Sequence, residues 1–452
     1  MSVANPKHVY FVGIGGIGMS ALARYYNERG VKVSGYDLRE SELTKALIAE
    51  GMDVHYEDRP DDIPADVDLA IYTPAVPKDF GELIELDLSP VRLVKRAQAL
   101  GLISMRHKTL AVAGTHGKTT MSAMAAYLMR ELETDAVAFL GGISTNYKTN
   151  YLPGRGDWLV VEADEYDRSF LSLEPDVAII SYIEPDHLDI YGEESAFEQS
   201  FRDFIGKMKG KDGIVITKPE IAQKLSSSLT NVSVVTYGCN MPEAEWNANN
   251  ISVVDGAFEF TLNCPHGVFE GVRLLMAGQH NVENAVAALA GVCATGASLE
   301  EALKKLGGFL GVARRFERLG NVGRAIAISD YAHHPTEVAA SIQAAKELFA
   351  GYRVIGIFQP HLFSRTRDFA DDFARALNEL REVVLLDLYP ARERPIEGIS
   401  SMTIFSNISV DKKYLVASSE AAALLKVLDG DVLLFMGAGD IDGLARSLVS
   451  TD

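Results

Sequence analysis

The segment LAVAGTHGKTT (110–120) combines residue types that bind phosphate. An apolar, strand-like run enters a turn bounded by Gly114 and Gly117 and holding Thr115 and His116. Lys118, Thr119, Thr120 and a helix-forming stretch follow. Backbone N–H groups of such a turn surround phosphate oxygens, the lysine adds a point charge, and a threonine hydroxyl is a natural Mg2+ ligand. The longer GxxxxGK[ST] spacing would need glycine at Val112, so the match is to the shorter GxxGKT form. This predicts a nucleoside triphosphate site.

A second glycine loop, GIGGIGMSA (13–21), also leaves a strand-like run and opens a helix, with Gly13, Gly15, Gly16 and Gly18 spaced for a pyrophosphate. Asp37 ends the next strand-like run, about 20 residues on, where a dinucleotide fold carries its ribose carboxylate. From the residues, its ligand is either NAD or a nucleotide diphosphate attached to another group.

Two acidic strand ends come next. EADEYD carries Glu162, Asp164, Glu165 and Asp167, and IEPDHLD carries Glu184, Asp186, His187 and Asp189. Adjacent strand ends of an open α/β sheet face one crevice, and carboxylates with the Thr119 hydroxyl suit Mg2+, which keeps few protein ligands. GQHNVENAV (278–286) reads as either a nucleotide-facing or a simply capped helix start at His280, Asn281 and Asn284. Towards the C-terminus stand ARRFE (313–317), SDYAHHPTE (329–337) and FQPHLFSRTRD (359–368). His333, His334 and His361 lack the partners of a zinc site, whereas Arg365 and Arg367 are suited to clamp a carboxylate or phosphate. The GAGD turn (437–440) receives no role.

These residues require βα units to position them, and short apolar runs alternate with amphipathic stretches throughout the 452 residues. That length suggests about three domains. Joints fall near 104–108 and 307–316, giving domains 1–105, 106–311 and 312–452. The stretch 230–275 reads as an antiparallel ribbon on the middle domain or as an insertion. With 43 basic and 62 acidic residues the net charge is −19, which argues against nucleic-acid or membrane-surface binding. Three scattered cysteines offer no disulfide framework. No leader or membrane insertion is expected and a cytoplasmic protein is, while monomer and dimer both stay open.

Taken in order, GIGGIGMSA, AGTHGKTT, EADE, PDHLD, HNVENAVAA, RRFE, DYAHHPTE and FQPHLFSRT resemble the Mur ligase family from residue 8 to about 440. The resemblance implies an α/β protein with a Rossmann-like UDP-binding domain, a central P-loop ATPase domain with a parallel sheet, and a Rossmann-like C-terminal domain. It implies ATP-dependent ligation of L-alanine to the carboxylate of UDP-N-acetylmuramate through an acyl phosphate, as a step of peptidoglycan precursor synthesis. A tripeptide acceptor, as in murein-peptide recycling, is the alternative within the family. A non-catalytic nucleotide or UDP-sugar binder and a Rossmann dehydrogenase are the alternatives outside it.

By the same resemblance Gly13, Gly15, Gly16, Gly18 and Asp37 serve the UDP-sugar. Residues 114–120 with Asn281, Arg315 and Asp330 serve ATP, and Thr119, Glu162 and His187 hold two Mg2+ ions. Tyr331, His334, His361 and Arg365 line the substrate side, and Lys118, Glu162, His187, His361 and Arg365 carry catalysis. Tyr166, Tyr182 and Leu362 depart from the family pattern, where serine, asparagine and arginine are common. No carbamylated lysine is expected.

Overall fold

The computed structural model describes residues 6–184, 191–210, 212–391, 393–426, 428 and 430–449. They build three sheets flanked by helices. The chain forms two compact units: residues 1–249 with 262–269 and 283–306, and residues 250–261 with 270–282 and 307–452.

The first sheet runs β3-β2-β1-β4-β5, from β1 (His8–Val12), β2 (Lys32–Tyr36), β3 (Asp53–His55), β4 (Leu69–Tyr72) and β5 (Arg92–Lys95). All its pairs are parallel. Helices on both faces bury a parallel strand twice, so its sequence is an unbroken apolar run. In β1, Val9 and Phe11 pack on one face and Tyr10 and Val12 on the other. The strand order reverses beside β1, and ligands of such sheets bind at the strand C-termini there. The loop Gly13–Gly18 leaves β1 at that end.

The central sheet runs β15-β14-β13-β12-β11-β10-β6-β9-β7-β8. Its strands are β6 (Lys108–Ala113), β7 (Val137–Phe139), β8 (Tyr151–Leu152), β9 (Trp158–Glu162), β10 (Val177–Ile180), β11 (Ile214–Thr217), β12 (Ser233–Cys239), β13 (Trp246–Val254), β14 (Ala257–Cys264) and β15 (Gly267–Leu274). β6 lies between β9 and β10 and is parallel to both, so the phosphate turn and the two acidic strand ends emerge side by side. The stretch 230–275 is only partly the expected antiparallel ribbon: β12 is parallel to β11 and β13, whereas β13 turns into β14 through Asp255 and Gly256 at φ 49° and 74°, paired positive values that suit a type I′ hairpin.

Below the sheet, the helix Glu194–Ile205 buries Phe197, Phe201 and Phe204, spaced to lie on one face. They close around Phe170, with ring centroids 5.2 Å from Phe201 and 4.9 Å from Phe204. Polar residues on the opposite face keep this helix soluble, so the aromatic stripe is what docks it.

The third sheet runs β16-β17-β21-β18-β19-β20, from β16 (Glu317–Val322), β17 (Ala325–Asp330), β18 (Val354–Phe358), β19 (Glu382–Leu386), β20 (Lys412–Val416) and β21 (Val432–Met436). Only β16 is antiparallel to its neighbour among the described pairs. No helix of the described residues is long and apolar enough to cross a membrane.

Phe201→Ala is expected to destabilise the first unit by about 3–5 kcal/mol, the usual cost of truncating a buried phenylalanine. A denaturant melt followed by circular dichroism measures it.

Candidate functional site

The phosphate turn is built by backbone conformation. Gly114 and Gly117 have φ of 117° and 79°, values that L side chains rarely adopt. A β-carbon at Gly114 would meet the Ser181 hydroxyl at 2.3 Å, so the turn lies directly on the end of β10. Thr115 donates its N–H to the Tyr182 carbonyl at 2.9 Å, and Ser181 donates its hydroxyl to the His116 carbonyl at 2.6 Å. The helix Lys118–Glu131 starts from Gly117 with no side-chain cap. Its first N–H groups have no intrahelical acceptor, and with the helix dipole they make an anion seat.

Lys118 is largely enclosed at this seat, its Nζ 2.7 Å from the fully buried Glu165. Burial disfavours the ammonium, but Glu165, Asp164 and Glu162 outweigh it and hold its pKa above the usual lysine value. Burial likewise pushes the Glu165 carboxyl up, against the pull of Lys118. Sequence reasoning noted Glu165 in the acidic run but gave it no role, and in the structure it is the lysine's direct partner.

Glu162 ends β9 in register with Val112 of β6 and packs on Gly141, where a β-carbon would stand 2.0 Å from Glu162 Oε2. Thr119 is buried in the first turn of the helix that Lys118 opens. Hydroxyl and carboxylate oxygens are the hard donors Mg2+ takes, and a Mg2+ that keeps water and substrate phosphates needs few of them. Among the described residues no group of three or more His, Cys, Asp or Glu is gathered as a metal cage. His187, Asp186 and Asp189 lie outside the described residues.

Tyr182, one of the departures, has a defined place. Its hydroxyl donates to Glu283 at 2.5 Å and accepts from the Lys218 ammonium at 2.9 Å, and burial pushes its pKa up to about 12. Lys218 also reaches Glu283 at 3.0 Å, and sequence reasoning missed both. Glu283 belongs to the helix Gln279–Ala294, whose Asn284 Oδ1 stands 2.5 Å from where a Gly117 β-carbon would be. Asn281 donates its side-chain N–H to the Ala277 carbonyl at 2.7 Å within the second unit.

At the first loop, Gly13 and Ile14 donate to the Tyr36 carbonyl at 2.8 and 2.9 Å, and Gly15 donates to Asp37 Oδ2 at 2.7 Å. Asp37 is thus a loop fastener in the structure. The helix Ile17–Glu28 follows from Gly16, again without a side-chain cap.

The second unit gathers its own set at the C-terminal ends of β17, β18 and β21. Asp330 is enclosed, and burial pushes its carboxyl up to about 6. The guanidinium groups of Arg314 and Arg315 lie 4.7 and 5.2 Å from the Tyr331 ring centroid. His361 stacks on Tyr389 at 5.8 Å with 9° between planes and lies 6.0 Å from His333. Burial, then the charges of His333 and Arg365, lower the His361 pKa to about 4. His334 precedes the helix Pro335–Leu348 as its cap residue, its Nδ1 2.8 Å from the Thr336 hydroxyl. Leu362 has φ 70°, strained for a leucine, at the entry to the helix Phe363–Asp368 that carries Arg365 and Arg367. The GAGD turn belongs to this set: Arg314 donates to the carbonyls of Gly437 and Gly439, each at 2.9 Å, and Gln359 donates to Asp440 at 2.6 Å.

Glycine turns and acidic strand ends of this kind define an α/β protein of the nucleoside-triphosphate-using class. Three family models match the chain: the catalytic domain of the Mur ligase family over residues 8–108, the Mur ligase middle domain over 112–292, and the Mur ligase glutamate ligase domain over 314–439. The chain belongs to the Mur ligase family, whose members are ATP-dependent amide-bond ligases. It is 45% identical over 449 residues to UDP-N-acetylmuramate–L-alanine ligase of Porphyromonas gingivalis, covering 97% of each chain. To the enzyme of the same name from Cytophaga hutchinsonii it is 44% identical, covering 98% of this chain and 96% of the other. The crystal structure of UDP-N-acetylmuramate–alanine ligase from Thermotoga maritima matches with a TM-score of 0.83 and 30% identity over 98% of both chains.

Lys118→Ala is expected to lower ADP release at saturating substrates about 10²-fold or more, since it removes a preorganised charge from the transferred phosphate; a coupled ADP assay measures this. A second expectation concerns pH. The native His361 titrates near 4 and an unfolded histidine near 6.5, so between these values only the unfolded chain takes up the proton. His361 therefore favours folding fully above pH ~6.5 and loses that contribution as pH falls towards ~4. Asp330, raised to about 6, tilts the opposite way over the same acid range. Thermal melts of wild type and His361→Gln from pH 7 to 4 should converge as the pH falls.

Proposed function

We infer that the chain is an ATP-dependent ligase that joins L-alanine to the lactyl carboxylate of UDP-N-acetylmuramate, releasing ADP and phosphate. The carrying observation is its end-to-end relation, at 45% identity, to ligases of that name. The largely enclosed Lys118 on its glycine turn supports this reading, with the charge such phosphate chemistry needs.

A carboxylate is a poor electrophile, so the γ-phosphate of ATP is first transferred to it. The amine of alanine then attacks the acyl phosphate, and inorganic phosphate leaves from a tetrahedral intermediate. The first step brings two anions together; Lys118 and the turn's N–H groups offset their repulsion. Thr119 and Glu162, with His187, would hold Mg2+, which supplies further charge neutralisation when bound. Gly13, Gly15, Gly16 and Gly18 bind the UDP-sugar, with Asp37 holding the loop in shape. Residues 114–120, Asn281, Arg315 and Asp330 serve the adenine nucleotide. Tyr331, His361 and Arg365 attend to the muramate and alanine. His361 stays uncharged at neutral pH and so is free to accept a hydrogen bond from an amine. His334 supports this wall by capping the helix beside it.

The work divides among domains 1–105, 106–311 and 312–452, for the UDP-sugar, ATP and the amino acid respectively. We assign the enzyme to the cytoplasm, where ATP and the nucleotide sugar are available. ADP release with UDP-N-acetylmuramate should require L-alanine. A tripeptide as the sole productive acceptor would instead make the chain a recycling ligase, and no ADP with either would remove the ligase reading.

A further inference from the structure

Two basic residues that sequence reasoning left unassigned meet where β5 ends: Lys95, its last residue, and Arg96, the first of the helix Arg96–Ser104. Arg96 lies over the first glycine loop: a β-carbon at Gly18 would stand 2.8 Å from Arg96 Nη1 and 3.1 Å from its Cδ. Glycine at 18 thus makes room for a guanidinium beside an uncapped helix N-terminus. Two sources of positive potential converge there, the planar fork that matches phosphate oxygens and the first-turn N–H groups.

The same guanidinium faces an acid from another sheet. Arg96 Nη2 is 3.9 Å from Asp164 Oδ2, at the outer limit of an ion pair, while neighbouring Lys95 holds Asp167 at 3.1 Å. Both carboxylates come from the EADEYD strand end, where Asp167 and Arg168 adopt left-handed φ of 51° and 55°. Asp164 is also one of the charges that hold Lys118 in its protonated form. One arginine therefore stands between the first glycine loop and the acidic edge of the phosphate-transfer centre.

We propose that Arg96 binds the diphosphate of the UDP-sugar, and that Asp164 competes with that diphosphate for it. A diphosphate offers two anionic groups and bidentate geometry, against one carboxylate at 3.9 Å, so the ligand wins the guanidinium. Lys95 keeps Asp167, and with it the strand end, in place during the exchange.

The assignment rests on the ligase reading above, and its test separates the two. UDP is titrated calorimetrically into the full chain without ATP. Arg96→Ala should weaken binding about 10- to 100-fold, the range for losing charge-assisted hydrogen bonds, and Arg96→Lys should weaken it less. Asp164→Asn should tighten binding about threefold or more, because the competitor is neutralised. A merely structural role would weaken binding in both Arg96→Ala and Asp164→Asn. An unchanged Kd in either of them, or weaker binding in Asp164→Asn, overturns the proposal while ligation by the wild type stands. A wild type that releases no ADP with UDP-N-acetylmuramate and L-alanine removes the ligase reading and this assignment together.

Discussion

The ion pair between the largely enclosed Lys118 and the buried Glu165 is the interaction on which the rest of the first unit depends. A lysine this enclosed is tolerable only because carboxylates from the adjacent strand end neutralise it, and a buried charge stripped of its partner costs several kcal/mol. That requirement explains why β9 must lie directly beside β6, and why its end is acidic where its body is apolar. It also constrains the turn. Gly114 and Gly117 bend the chain so that Lys118 begins the helix just where Glu165 can reach it. The aromatic cluster of Phe170, Phe197, Phe201 and Phe204 then fixes the segment that follows Glu165, so the acid cannot drift from the lysine.

Much of this was legible in the sequence because it is local. A strand, a glycine turn, a lysine and a helix lie within about a dozen residues, and their chemistry needs no distant partner to be recognised. The three-sheet α/β organisation followed from the alternation of apolar runs with amphipathic stretches, a pattern that parallel sheets impose. Within 230–275 the β13–β14 hairpin was visible as short alternating pieces around the turn residues Asp255 and Gly256, while the parallel pairing of β12 was not.

What escaped depends on pairing between remote segments. EADEYD offers four carboxylates, and the choice of Glu165 as the lysine's partner is made by strand register and by the turn beyond β9. Asp37 occupies the position of a ribose ligand in sequence, yet in space its carboxylate takes the Gly15 N–H. Tyr182 looked like a substitution without a purpose until Lys218 and Glu283, 36 and 101 residues away, appeared around its hydroxyl. GAGD carried no signal because Gly437 and Gly439 act through main-chain carbonyls, which any sequence possesses, and the partner of Asp440, Gln359, lies 81 residues away. Arg96 was hidden for the same reason as Glu165: its neighbours Gly18 and Asp164 come from two other segments.

A chain with net charge −19 that handles phosphates must generate positive potential locally, and it does so in a consistent way. Lys118 is paired with Glu165, Arg96 faces Asp164, and Lys95 holds Asp167. These three cations find their carboxylate partners on one acidic strand end, while Lys218 at the end of β11 takes Glu283 from a helix. Such pairs keep unlike charges from standing unpaired in partly buried surroundings, and they also set a threshold for the ligand. Under the exchange proposed at Arg96, a phosphate must offer more than the Asp164 carboxylate it displaces, which favours a diphosphate over the monoanions abundant in solution. The acidic surface reinforces that selection, since long-range repulsion discourages polyanions that cannot enter the clefts. An excess of acid in the chain and a taste for phosphate in its sites are therefore compatible, because the first acts at a distance and the second only at contact.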